Sequence, residues 1–123
     1  MMRFSANLGF LWNDRPLPEA IYAAYAAGFA AVECHWPYDV PAEDVRAALD
    51  ATNLPMLGLN TVRGKPGENG LAALPGREAE ARAAIDQAIR YANALNAGAI
   101  HVMAGFAEGA EAKRTFEDNL RYA

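Results

Sequence analysis

Two histidines and two asparagines are the side chains of this sequence best suited to polar chemistry at a shared site. They are Asn7, His35, Asn60 and His101, and each lies near the end of a short apolar run. Imidazole and amide groups hydrogen-bond hydroxyl, carbonyl and carboxylate oxygens. We predict that all four contact a small substrate, with hydrogen-bonded structural histidines as the alternative. Two histidines fall short of the three or four ligands that zinc takes, so no metal ligand is predicted in this chain.

A fifth candidate, Arg63, lies at the start of a long connection rich in Gly and Pro, residues 61–76. Connections of this length in compact domains are usually functional or disordered. We predict a lid, with the Arg63 guanidinium binding a substrate carboxylate through two hydrogen bonds, and a solvated arginine as the alternative. Trp12, Trp36 and Tyr38 also follow strand ends, where they either wall the site or pack under the lid.

Three further residues of the predicted strands receive structural interpretations. Cys34 precedes His35, but neighbours in a strand point to opposite faces, so the two cannot act as a nucleophile and its base. We predict that Cys34 is a small buried apolar residue. Arg3 and Glu33 are predicted to form a buried ion pair at the floor of the fold, with Glu33 as a catalytic acid the alternative.

The framework that positions these residues is predicted from alternating β-type and helical stretches, divided by Gly and Pro. Helical stretches show apolar residues at three- and four-residue spacing. A strand followed by a helix, repeated about four times, predicts a parallel sheet with right-handed crossovers. The predicted strands are 3–10, 29–36, 54–61 and 99–104, and the helices begin at Leu17, Pro41, Ala79 and about Ala110.

Polar residues at every second strand position decide between two architectures. Arg3 and Ser5 alternate in the first strand, and Glu33 and His35 in the second, so one face carries a polar set. A doubly wound sheet would bury both faces in continuous apolar runs. We therefore predict an α/β fold of the (β/α)8 TIM-barrel type. A complete barrel takes about 250 residues, so residues 1–123 are predicted to form one domain holding the first four βα units.

The composition excludes several classes of protein. There are 11 basic and 15 acidic side chains, so 11 − 15 gives a net charge of −4 and no basic surface for nucleic acid. No uncharged stretch is long enough to cross a membrane. We therefore expect neither nucleic acid nor membrane as a partner. The single cysteine rules out an internal disulfide and is typical of the cytoplasm, where we expect the protein.

Five blocks of the sequence carry a family resemblance. They are RFSANLG at 3–9, VECHWPY at 32–38, GLNTVRG at 58–64, ALPGRE at 73–78 and HVMAG at 101–105. Together they resemble the hydroxypyruvate isomerase family, which includes 2-oxo-tetronate isomerases and belongs to the xylose-isomerase-like TIM barrels. The resemblance covers the whole chain but only the N-terminal half of such an enzyme. It implies a divalent metal, Mg or Mn, and two glutamates that transfer a proton, all held by later strands.

The activity that this resemblance implies is the interconversion of hydroxypyruvate and tartronate semialdehyde, or of a related 2-oxo sugar acid. The reaction would use metal-assisted proton transfer through an enediolate. Only Glu33 lies inside a predicted strand and Asp39 follows one, so convergent carboxylates for a metal cannot be assembled here. No catalytic residue is therefore expected in this chain, since the glutamates would lie beyond Ala123, and the chain alone is expected to be inactive and to bind no metal.

Two other functions remain open at this point. One is a related sugar-acid epimerase that uses the same carboxylate and metal chemistry. The other is a non-catalytic half-barrel that binds a sugar acid or assembles with other chains. Because unpaired edges of a parallel sheet attract further strands, we also expect self-association.

Overall fold

The computed structural model describes all 123 residues and confirms four strand–helix units in sequence order. The described strands are shorter than predicted, since regular pairing covers only two or three residues of each. The chain forms two compact units, Met1–Leu59 with Arg90–Ile100, and Asn60–Ile89 with His101–Ala123. The strands are β1 (Ser5–Asn7), β2 (Ala31–Glu33), β3 (Leu59–Asn60) and β4 (Ile100–His101), and the helices are α1 (Leu17–Ala26), α2 (Ala42–Thr52), α3 (Glu78–Leu95) and α4 (Gly109–Tyr122).

In the first unit, the strand segments pair side by side in the order in which they occur in the sequence. Strands β1 and β2 are parallel neighbours. Beyond β2, the Val32 N–H donates to the Pro55 carbonyl at 3.0 Å, and the Leu57 N–H donates to the Val32 carbonyl at 2.8 Å. The Gly98 N–H then donates to the Met56 carbonyl at 3.1 Å. The predicted third strand therefore pairs from residue 55 onward, although only Leu59 and Asn60 form a regular strand.

The two faces of this paired backbone differ in burial, as the alternation of polar residues predicts. Ala6 and Val32 are fully buried and Met56 is 1% exposed. On the other side of the same strands, Ser5 is half-buried and Leu57 is 44% exposed. Since successive strand residues point to opposite faces, one face belongs to the core and the other is open. The predicted polar face is the open one.

The helix boundaries of the first unit follow from residues with restricted backbones. Pro16 and Pro41 precede α1 and α2 as their N-caps, so α2 begins at Ala42, one position after the start predicted at Pro41. Asn53 ends α2 in the left-handed conformation, with φ of 54°, as predicted. Helices α1 and α2 pack against each other through buried apolar residues such as Ile21 and Val45.

The second unit contains the connection 61–76, whose second half is fixed in the core. Gly70 and Ala104 form an antiparallel bridge, and the Ala72 N–H donates to the Met103 carbonyl at 3.2 Å. Ala72 is 2% exposed. A mobile lid cannot contain buried, backbone-bonded residues, so the lid prediction is wrong for this half of the connection. None of the helices has the length and apolar character needed to cross a membrane.

Candidate functional site

A cleft of about 440 Å³ opens in the first unit, beside the loops that follow β1 and β2. Its walls include Trp12 and Trp36, one of the two placements predicted for these residues, and its polar lining includes His35. Arg15 and Asp39 also line the cleft and were not predicted as site residues. Their position just after strand ends is the sequence signal that could have found them, because βα loops carry the sites of barrel proteins.

The His35 ring is held in the cleft by packing. It meets the Phe10 ring edge to face at 4.9 Å between centroids, and the Trp36 ring at 5.1 Å with an interplanar angle of 61°. Its ring atoms also lie against Gly9, where a Cβ would overlap them. No hydrogen bond holds either ring nitrogen in this structure. The imidazole is therefore oriented by packing against its neighbours, and its Nδ1 edge lies against Gly9.

The Asn7 side chain closes the turn that follows β1. Its Oδ1 accepts a hydrogen bond from the Gly9 N–H at 2.9 Å. Its main-chain carbonyl accepts from the N–H groups of Phe10 and Leu11 at 3.1 and 3.0 Å. The side-chain oxygen is thus committed to the backbone, and the amide nitrogen is the group left for a substrate. The predicted substrate contact of Asn7 stays a prediction.

In the second unit, Asn60 and His101 end two paired strands. The Thr61 N–H donates to the His101 carbonyl at 3.0 Å, and the Met103 N–H donates to the Thr61 Oγ1 at 2.9 Å. Asn60 is half-buried and His101 is exposed. Thr61 is 3% exposed, and its hydroxyl substitutes for a backbone acceptor at this strand end. Sequence reasoning missed that role.

Arg63 lies at the root of the 61–76 connection, as predicted. Its carbonyl accepts a hydrogen bond from the Gly70 N–H at 2.8 Å, and its side chain is exposed. The five predicted site residues therefore fall into two sets. Asn7 and His35 meet around Gly9 in the first unit, whereas Asn60, Arg63 and His101 belong to the second.

The predicted ion pair between Arg3 and Glu33 is wrong, because it is not among the salt bridges of the structure. The parallel register places Glu33 opposite Asn7. Arg3 precedes Asn7 by four residues, which is roughly 13 Å along an extended strand. Sharing a face is not enough for contact when the residues lie at different heights on it.

An ion-pair cluster in the second unit braces the 61–76 connection. The Arg77 guanidinium pairs with Glu68 and, at 2.8 Å, with Glu80, and the Glu68 carboxylate accepts from the Lys65 N–H at 2.7 Å. These hydrogen bonds from Arg77 hold the pKa values of the Glu68 and Glu80 carboxyl groups below their usual range. Arg77 lies in one of the blocks that carry the family resemblance, and its role here is structural.

Cys34 is a buried apolar residue, as predicted, with 5% of its surface exposed. Burial raises the pKa of its thiol to about 12, so the thiol stays protonated near neutral pH and is a poor nucleophile. The Tyr38 ring meets that of Tyr91, on helix α3, edge to face at 5.5 Å. The Tyr91 hydroxyl in turn donates to the Val40 carbonyl at 2.7 Å.

The chain does not gather a ligand set for a metal ion. No three or more His, Cys, Asp or Glu side chains lie close enough together to hold one. The donors near the strand ends are single groups, such as His35 and Asp39 beside the cleft. The residues present therefore do not fit the divalent metal that the resemblance implies, and no step through a metal is derived from them.

Comparison with known proteins shows the family. Residues 21–123 match the family model described as xylose isomerase-like TIM barrel, and the chain belongs to this family. It is 43% identical over 129 residues to the 2-oxo-tetronate isomerase of Haemophilus influenzae, covering 100% of this chain and 50% of that protein. A Homo sapiens protein named "Putative hydroxypyruvate isomerase" is 43% identical over 134 residues, covering 99% of this chain and 48% of that protein.

A solved structure supports the same assignment. The crystal structure of AP endonuclease, family 2, from Brucella melitensis superposes with a TM-score of 0.92 and 39% sequence identity, over 99% of this chain and 49% of that one. The predicted fold class and the predicted family resemblance are both confirmed. The chain spans about half the length of the curated relatives that it matches.

Proposed function

We propose that the protein is an isomerase of small 2-oxo acids, with hydroxypyruvate and its aldehyde isomer tartronate semialdehyde as the first candidate pair. The observation that carries this proposal is the set of polar side chains at the strand ends of a xylose isomerase-like fold. His35 lines a cleft of about 440 Å³. The relatives named as isomerases of 2-oxo-tetronate and hydroxypyruvate support the substrate class.

The proposed reaction moves a proton between neighbouring carbons. A base removes the proton next to the carbonyl, and an acid returns one to the adjacent carbon after an enediolate has formed. The residues of this chain would bind the substrate rather than transfer the proton. Imidazole and amide groups suit its hydroxyl and carbonyl oxygens, and the exposed Arg63 suits its carboxylate.

The proton-transferring groups of the proposal are glutamates that lie outside these four βα units. Glu33 is the only acid in a described strand, and no three or more His, Cys, Asp or Glu side chains of this chain could hold a metal ion together. A divalent metal, Mg or Mn, belongs to the proposal as a cofactor of the complete barrel. The proposal also includes a location in the cytoplasm and a small 2-oxo or hydroxy acid as substrate, with neither nucleic acid nor membrane as a partner.

Binding and turnover test the proposal separately on the purified 123-residue chain. Hydroxypyruvate would be titrated while the imidazole signals of the only two histidines, His35 and His101, are followed by NMR. We expect saturable shifts with hydroxypyruvate and weaker ones with pyruvate, which lacks the hydroxyl. We expect no isomerisation with Mg²⁺ or Mn²⁺ added.

Each result supports or contradicts a stated part of the proposal. Saturable binding without turnover supports the proposal that the catalytic glutamates lie elsewhere. Turnover by this chain would contradict that part. An absence of shifts at both histidines, with hydroxypyruvate well above millimolar concentration, would refute the assigned substrate contacts. Preferential binding of a sugar that has no 2-oxo acid group would favour the related epimerase.

A further inference from the structure

The turn after β1 is closed by hydrogen bonds to Asn7, and the Asn13 Nδ2 donates a further one to the Gly9 carbonyl at 3.5 Å. The Asn7 Oδ1 accepts from the Gly9 N–H at 2.9 Å, and the Asn7 carbonyl accepts from Phe10 and Leu11 at 3.1 and 3.0 Å. A side-chain oxygen that bonds the backbone two residues on is the Asx turn, which fixes the direction in which the chain leaves. Asn7 thus holds Gly9 through its side chain and Phe10 and Leu11 through its carbonyl.

This turn places Gly9 and Phe10 directly against His35. A Cβ on Gly9 would overlap the imidazole atoms, and Gly9 does not have a positive φ. The glycine is therefore required for space and not for backbone conformation. Phe10 meets the same ring edge to face at 4.9 Å, and Trp36 meets it at 5.1 Å. These three neighbours determine where the ring lies.

Histidines in enzymes are commonly oriented by a hydrogen bond to one ring nitrogen, which leaves only the other for chemistry. His35 has no such bond in this structure. Its orientation comes instead from the turn, and the turn depends on the Asn7 oxygen. We propose that Asn7 is a positioning residue that acts through Gly9 and Phe10 to hold the His35 imidazole at the wall of the cleft. This inference rests on the proposed function only for the identity of the ligand that the cleft binds.

The test uses the His35 NMR signals of the ligand-free chain, because the ring currents of Phe10 and Trp36 make them sensitive to ring position. His101 has no aromatic neighbour among the ring contacts and serves as the internal reference. Asn7→Leu keeps the approximate volume but removes the acceptor. Asn7→Asp keeps an acceptor for the Gly9 N–H.

We expect Asn7→Leu to move the His35 proton signals toward random-coil values and to speed exchange of the Gly9 amide at least tenfold. We expect Asn7→Asp to restore both at a pH where the imidazole is neutral. Gly9→Ala should displace the His35 signals with Asn7 intact. Gly58→Ala is the matched control, since Gly58 also lacks a positive φ and a Cβ there would make only an ordinary contact at 3.7 Å.

Unchanged His35 signals in Asn7→Leu, together with faster Gly9 exchange, would overturn the proposal, because the turn and the ring would then be independent. If Asn7→Leu does not fold, Gly9→Ala decides: signals equal to those of the wild type would refute positioning by the turn. All of these spectra are recorded without ligand. A failure of hydroxypyruvate to bind therefore refutes the proposed function and leaves this inference to be judged separately.

Discussion

Strand register determines which side chains meet at the ends of β1 and β2. Glu33 lies opposite Asn7 and has no cationic partner, although Arg3 shares its face of the sheet. A partly exposed carboxylate of this kind keeps its hydration and needs no counter-ion. The open face can therefore carry an unpaired acid without the desolvation cost of a buried charge.

Replacing that acid should have little effect on folding. For Glu33→Gln we expect the free energy of unfolding to change by no more than about 0.5 kcal/mol, as for a surface substitution without a partner. Urea denaturation at pH 7 measures this free energy, with Glu19→Gln, at an exposed position of helix α1, as the control. A loss of about 3 kcal/mol or more would instead indicate a buried ion pair.

The buried thiol gives a second prediction at the residue scale. Because burial raises the pKa of Cys34 to about 12, the folded state disfavours the thiolate, which an unfolded chain forms above about pH 8.5. Its contribution to stability is complete below that pH and is lost as the pH rises toward 12. We expect an aromatic disulfide reagent at pH 8 to react at least a hundredfold more slowly in buffer than in denaturing urea. Equal rates would contradict the burial.

At the scale of elements, helix α4 is fastened to the 61–76 connection by one fully buried amide. The Asn119 Nδ2 donates to the Ala72 carbonyl at 2.8 Å, and its Oδ1 accepts from the Arg82 Nε at 3.3 Å. Arg82 also lies over the Tyr122 ring at 4.9 Å. These contacts join α3, α4 and the connection within the second unit, which explains why residues that look like a loop are held in the core.

Removing this amide should loosen the second unit. For Asn119→Leu we expect a loss of about 1–3 kcal/mol in the free energy of unfolding, because the Ala72 carbonyl stays buried without its donor. Chemical denaturation followed by circular dichroism measures the loss. Asn93→Ala, at an exposed position of α3, is the control and should be close to neutral. An Asn119 variant as stable as the wild type would show that water replaces the amide.

The same connection is braced by ion pairs that depend on pH. Since Arg77 lowers the pKa of Glu68 in the folded state, the stabilisation is complete above the unfolded-state value and is lost as the pH falls through the lower folded-state value. We expect Glu68→Gln to be less stable than the wild type at pH 7, and the difference to become smaller at pH 3. Urea midpoints at the two pH values measure this, and a difference that grows toward pH 3 would contradict the assigned sign.

At the scale of the whole molecule, the open face of the first unit is the main surface on which apolar side chains are exposed and a polar group lacks a hydrogen-bond partner. Phe4 is 63% exposed and Leu57 is 44% exposed, and both line a cavity of about 410 Å³. The Ser5 hydroxyl beside them is buried without a hydrogen-bond partner. Exposed apolar patches and unpaired polar groups of this kind favour association, and the expected self-association stays a proposal.

Self-association can be tested by changing this face alone. We expect the purified chain to sediment with an average mass that rises with concentration, and Leu57→Lys to shift it toward the monomer by introducing a charge. Tyr22→Lys is the matched control, because Tyr22 is 48% exposed on helix α1. A monomer at every concentration, or an equal effect of both variants, would contradict association through the open face.

The order of elements, the polar parity of the strands and the family could all be derived from the sequence. These properties depend on local periodicity, on Gly, Pro and Asn at the ends of helices and strands, and on contiguous blocks of sequence that resemble the family. They can therefore be predicted from residues that are close together in the sequence. Burial of Cys34 and the left-handed Asn53 belong to the same class. The five candidate site residues were chosen by type and strand position, and two of them, Asn7 and His35, meet around Gly9.

What only the tertiary structure decided concerns residues that are distant in sequence. The height of Arg3 relative to Glu33, the bonds that fix Ala72 to Met103 and Asn119, and the use of the Thr61 hydroxyl in strand pairing all depend on register between separate segments. Alternation along a strand tells which face of the sheet a residue is on, but not its position along the strand relative to residues of the next strand. The shared face of Arg3 and Glu33 was therefore predictable, whereas contact between them was not.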